Sequence, residues 1–133
     1  GILDQARRVA RDNVKWKLSE KINANPDSVS LRDVFNAAKE NDGVARSLVE
    51  NGGVNLGRKI AFLANFLNPE IVVIGGGLEQ AGILMLDTIK ATIKKWTIDE
   101  ASRVLRIMPA QFGDKSVALG VSCVVAQEIF MHV

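Results

Sequence analysis

The residues of this chain best suited to chemistry are three successive glycines, Gly75, Gly76 and Gly77, with another at Gly82. They follow Asn68-Pro69-Glu70-Ile71-Val72-Val73-Ile74, a β-branched run, and a helical pattern opens just beyond them. A buried parallel strand that ends in a glycine turn and feeds a helix can hold phosphate. The glycines let the backbone approach the anion, and the helix start adds unpaired N–H groups and a favourable dipole. The spacing is not a dinucleotide fingerprint, which wants a glycine where Gln80 stands. Nor is it a P-loop, because no Gly-Lys-Ser/Thr follows. Two readings stand: phosphate or nucleotide contact through Gly75, Gly76 and Gly77, or a turn that only lets strand and helix pack tightly. Glu79 opposes an anion there unless it serves the cap or faces away.

No catalytic acid, base or nucleophile emerges elsewhere. His132 is the sole histidine and lies next to the C-terminus, a poor place for a base or metal ligand. With one histidine and one cysteine there is no zinc cluster. Ser102, Ser116 and Ser122 have no local base partner, and Asp114 reads as a helix cap. Trp16, Trp96 and the five phenylalanines are spaced as core or interface residues and not as a base-stacking platform.

Several elements must position the glycine turn. Leu3, Ala6, Ala10, Val14, Leu18 and Ile22 form one helical stripe, and Arg7, Arg8, Arg11, Lys15, Lys17 and Lys21 lie on its solvated faces. Asn23 to Ser28 is a loop around Pro26. Ser30 and Asp33 make a capping box before a short helix that ends near Asn41. Asp42 caps a longer helix to about Leu67, interrupted by Gly52 and Gly53. Either that helix bends, or Gly53, Gly57, Ala61 and Ala64 form a shallow face for close packing; close packing is the preferred reading. Ile71–Ile74 is a strand covered on both faces. A second long helix runs to about Trp96, Thr97 to Ser102 turn, and Val104 to Met108 is a strand stopped by Pro109. A last, nearly all-apolar helix then runs to about Met131 and should be central.

The fold class is therefore α/β, helix-rich, with a βαβ unit whose strands span about 70–75 and 103–108. Two parallel strands are not a stable sheet alone, so further strands are expected from chain beyond these residues or from a partner. A start at Gly1, without methionine and already inside an amphipathic pattern, fits a piece cut from a larger protein. The 133 residues are one domain's worth of chain, 47% apolar and 24% charged. A net charge of +2 implies no nucleic-acid or membrane footprint. The lone Cys123 reads as a buried small hydrophobe and suits a reducing cytoplasm. No uninterrupted apolar span approaches 18 residues and no signal-peptide pattern is read, so neither membrane crossing nor export is expected.

Asn55-Leu56-Gly57-Arg58-Lys59-Ile60-Ala61, Leu63-Ala64-Asn65-Phe66-Leu67-Asn68-Pro69-Glu70 and Ile71-Val72-Val73-Ile74-Gly75-Gly76-Gly77, with Ala81-Gly82, resemble the C-terminal part of the ROK family of repressors, open reading frames and sugar kinases. Asp33-Val34-Phe35-Asn36-Ala37-Ala38-Lys39-Glu40-Asn41-Asp42 matches a family stretch, with Asn41 replacing a glycine. Phe112-Gly113-Asp114-Lys115-Ser116-Val117-Ala118-Leu119-Gly120 matches the family's closing turn, with Val121 where alanine is commoner. The resemblance covers about residues 31–130.

It implies a two-lobed, ribonuclease-H-like, actin-type ATPase fold with nucleotide between the lobes, and Gly75, Gly76 and Gly77 on the nucleotide side. Residues 1–133 would be one C-terminal subdomain of it. ATP with Mg, the catalytic aspartate, the phosphate loop, the sugar contacts and any structural zinc would then belong to the intact protein, upstream of this chain. The fragment alone would not phosphorylate a sugar. Implied partners are the missing N-terminal lobe, further copies in a homo-oligomer, a sugar, and DNA only through an upstream domain. Two functions follow: the effector and dimerisation domain of a sugar-responsive repressor, or a lobe of an ATP-dependent sugar kinase. The triple glycine favours the kinase, and the tail Ser116 to Phe130 looks more like the regulator branch, which is the preferred reading. A bare assembly module is the third.

Overall fold

The computed structural model describes residues 1–111. Its helices are α1 (Ile2–Arg11), α2 (Ser19–Ala24), α3 (Leu31–Lys39), α4 (Gly43–Leu67), α5 (Ile83–Trp96) and α6 (Asp99–Val104). Its strands are β1 (Ile71–Ile74) and β2 (Arg106–Pro109), and short 3-10 turns occupy Pro26–Ser28 and Leu78–Ala81. The strands are parallel, in register from Ile71 opposite Arg106 to Ile74 opposite Pro109. β1, α5 and β2 are thus the expected βαβ unit.

The long N-terminal helix expected through Val14 is instead two helices. Asp12 caps α1, and Asn13 takes a left-handed φ of 57°, which asparagine tolerates and which stops the helix. The chain then swings Trp16 inward while Val14 stays 42% exposed. Ser19 anchors the new start, accepting from the Trp16 amide at 3.3 Å and donating to the Trp16 carbonyl at 2.8 Å. The expected loop from Asn23 is likewise partly helical, since α2 reaches Ala24.

The two predicted caps form as read. Asp33 N donates to Ser30 Oγ at 3.3 Å, while the Ser30 amide and hydroxyl donate to Asp33 Oδ2 at 2.9 and 2.8 Å. These bonds, led by the Ser30 amide, hold the Asp33 carboxyl below its ordinary 3.8. A depressed carboxylate stabilises the fold above the unfolded value and loses that contribution as pH falls through the native one. Ser30→Ala should therefore cost about 1 kcal/mol at neutral pH, shrinking below 3.8, as read from urea midpoints across pH. At α4, Ala45 N donates to Asp42 Oδ1 at 2.8 Å, and Lys17 N to Asp42 Oδ2 at 3.0 Å, so one carboxylate caps the helix and ties down the loop between α1 and α2.

α4 runs unbroken through Gly52 and Gly53, which favours close packing over a bend. A Cβ at Gly53 would lie 3.0 Å from Thr88 Cβ, and one at Gly57 only 2.7 Å from Thr92 Cβ and 3.1 Å from the Ile89 carbonyl. Thr88 and Thr92 satisfy their hydroxyls within α5, each donating at 2.8 Å to the carbonyl four residues back. Their carbon faces are thereby free to meet the glycines. Val34, Phe35, Ala45, Val49 and Ile89 form the most buried part of the core beside this seam.

The C-terminal half departs from expectation in three ways. Thr97 to Ser102 is not a simple turn, because α6 forms over Asp99–Val104 and buries Ala101. Asn65 fixes that junction, donating to the Trp96 carbonyl at 3.1 Å and accepting from the Ile98 amide at 3.0 Å. β2 accordingly starts at Arg106 and includes Pro109. The Arg106 and Ala110 amides donate to Glu70 and Ile74 carbonyls, so alternation turns the donor-less Pro109 nitrogen away from β1. Finally, β1 is not covered on both faces by described residues: Ile74 is buried, but Ile71 and Val73 are 44% and 61% exposed. The last helix, expected to about Met131, lies outside the described residues, as do Asp114, Ser116, Cys123 and His132.

Candidate functional site

β1 delivers the chain into Gly75, Gly76 and Gly77. Gly76 and Gly77 take φ of 68° and 87°, where a side chain would be strained. Leu78 N donates back to the Gly75 carbonyl at 3.4 Å and Gln80 N to the Gly77 carbonyl at 3.2 Å, closing the turn. Among the described residues the Gly76 and Gly77 amides make no hydrogen bond. A Cβ built on Gly76 would meet no described residue within 4 Å. Close packing therefore does not explain Gly76; at Gly75 the Ala110 Cβ, 3.3 Å away, does impose a limit.

The helix expected directly after the glycines is displaced. A 3-10 turn over Leu78–Ala81 intervenes, and Gly82, at φ 69°, is the N-cap of α5. α5 has no side-chain cap and no acidic residue in its first turn, so its positive end lacks a local counter-charge. A groove of about 410 Å³ opens there, lined by Lys39, Asn41, Arg46, Gly82, Ile83 and Leu84 among others. Arg46 donates to Asn41 Oδ1 at 3.0 Å, which points its guanidinium along the α3–α4 turn. Two cations and a helix start thus line one groove with Gly82, while Gly75, Gly76 and Gly77 do not line it.

Lys39 and Arg46 escaped sequence reasoning because they lie over thirty positions upstream; the α3–α4 turn at Asn41, with φ 63°, brings them round. Glu79 neither caps α5 nor points to open water: its Oε2 is buried without a partner among the described residues. No group of three or more His, Cys, Asp or Glu side chains converges among them, and none of their helices is long and apolar enough to cross a membrane. Among the described residues the chain offers an anion two backbone amides at the glycine turn and, apart from them, a basic groove at Gly82.

Comparison with known proteins gives the class. The family model "ROK family" matches residues 11–128, and the chain belongs to that family. A glucokinase of Halalkalibacterium halodurans is 35% identical over 100 residues, covering 75% of this chain and 30% of the relative. The DNA-binding transcriptional repressor Mlc of Escherichia coli is 22% identical over 122 residues, covering 92% of this chain and 30% of the repressor. A crystal structure of a ROK family transcriptional regulator, a homologue of that repressor, superposes with a TM-score of 0.72 at 25% identity, over 81% of this chain and 26% of the regulator. The chain thus spans less than a third of the length of these proteins, and its helices and small parallel sheet reproduce part of their fold.

Proposed function

We propose that the chain is the C-terminal part of a two-lobed ROK protein of the ribonuclease-H-like, actin-type ATPase fold, serving as the effector and dimerisation region of a sugar-responsive transcriptional repressor in the cytoplasm. The observation that carries this reading is the likeness to the ROK regulator over 81% of the chain. Gly75, Gly76 and Gly77 face the nucleotide or phosphate side of the cleft, DNA is bound through an upstream domain, and the sugar contacts and any structural zinc are upstream as well. The exposure of Phe62, Phe66 and Leu67 at 71%, 80% and 64% supports burial against the missing lobe or a second copy.

One observation favours a second reading, the lobe of an ATP-dependent sugar kinase. The Gly76 and Gly77 amides are unpartnered among the described residues, and a glucokinase is the 35% identical relative. ATP with Mg would then be the cofactor of the intact protein. The test is made on the full-length protein, by following hexose-dependent ADP release beside sugar-sensitive binding to its own promoter DNA. Sugar-released DNA binding without turnover is the expected result. Turnover without DNA binding would replace the regulator by the kinase.

A further inference from the structure

At the opposite end of α5 from the glycine turn, a second groove lies between α5, α6 and β2. It encloses about 280 Å³ and is lined by Lys90, Ile93, Lys94, Arg103, Leu105 and Ile107. Its floor is aliphatic: Ile93 is buried, and Leu105 and Ile107 are half-buried against the core. Its rim is cationic, with Lys90 and Lys94 one turn apart on α5 and Arg103 facing them from α6. Among the described residues no ion pair reaches any of the three cations.

Lys94 and Arg103 each sit in the last turn of a helix, where a cation is favourable without a partner. That does not account for Lys90, nor for three like charges around one apolar depression, whose mutual repulsion no ion pair among the described residues relieves. We propose that this groove docks an acidic, amphipathic segment of a partner protein, seating an aliphatic side chain on Ile93, Leu105 and Ile107 and setting carboxylates against Lys90, Lys94 and Arg103. Charge complementarity chooses the sign of the partner. The concave floor, sized for about one or two aliphatic side chains, chooses a protruding peptide over a flat anionic membrane.

The probe is a fluorescently labelled peptide of about a dozen residues alternating glutamate with leucine, titrated into the full-length protein by anisotropy. Binding should weaken about tenfold in the double variant Lys90→Glu, Lys94→Glu, and should fall with added salt, since the pairs are exposed. The double variant Arg11→Glu, Lys15→Glu makes the same change in net charge at the end of α1 and in the loop after it, and should leave binding intact. Exposed positions are chosen so that folding is preserved, which circular dichroism checks. The proposal is overturned if the peptide does not bind, if the glutamine analogue binds equally, or if the Arg11→Glu, Lys15→Glu variant loses as much affinity. It is also overturned if vesicles of phosphatidylserine occupy the groove in preference to the peptide, or if Lys90→Glu, Lys94→Glu instead changes the oligomeric state.

Discussion

Gly57→Leu is expected to destabilise the fold by about 3 kcal/mol, lowering the urea midpoint without changing the slope. The site has no spare room: even a first carbon would sit 2.7 Å from Thr92 Cβ and 3.1 Å from the Ile89 carbonyl. Neither neighbour is the far end of a flexible chain, so relief requires α4 and α5 to move apart. Separation would in turn strip contacts from Val49, Ile60 and Ile89, which this seam keeps dry. Gly43→Ala provides the contrast, because nothing lies within 4 Å of its Cβ and the substitution should be neutral or slightly stabilising. Equal effects at the two positions would mean that the helices do not meet through their glycines.

The second large effect concerns the turn. If the proposed phosphate contact holds, Gly76→Val in the full-length protein should weaken Mg-ATP at least about tenfold, measured by calorimetry, because a side chain would stand where the Gly76 and Gly77 amides, unpartnered among the described residues, would meet phosphate. At φ 68° valine also costs about 1–2 kcal/mol of strain, so a loss of affinity alone could reflect a deformed turn. Gly76→Asn separates the two, since asparagine accepts a positive φ while still placing atoms in the approach path. Expected is a native melting temperature with weakened binding. Unchanged affinity in both variants would take the glycines out of any site.

The elements legible in the sequence were those with local chemistry. Ser30–Asp33 and Asp42 announced two helix starts, Asn68 before Pro69 announced a stop, and the spacing of Gly53 and Gly57 announced the close approach to α5. The misread stretches had periodicity without local support. The stripe through Val14 continued across Asp12-Asn13, a pair that tolerates left-handed backbone and marks an end more firmly than hydrophobic spacing marks continuation. Thr97 to Ser102 looked like a turn because the clip that stabilises α6, Asn65, is more than thirty positions away. A comparable separation hid Lys39 and Arg46 from the reading of the glycine turn. Long-range placement of this kind leaves no trace in residue spacing; the fold has to supply it.

The position of Pro109 has a directional consequence. The outward-facing groups of β2 comprise carbonyls and the lone amide of Ile107, because proline has no N–H to offer and the Leu105 amide is already spent on the Ala101 carbonyl. On the other flank, Ile71 and Val73 present donors and acceptors that no described residue pairs. Any additional strand must accordingly enter beside β1, so the sheet behaves as a one-way connector, extensible on one border and blunted on the other.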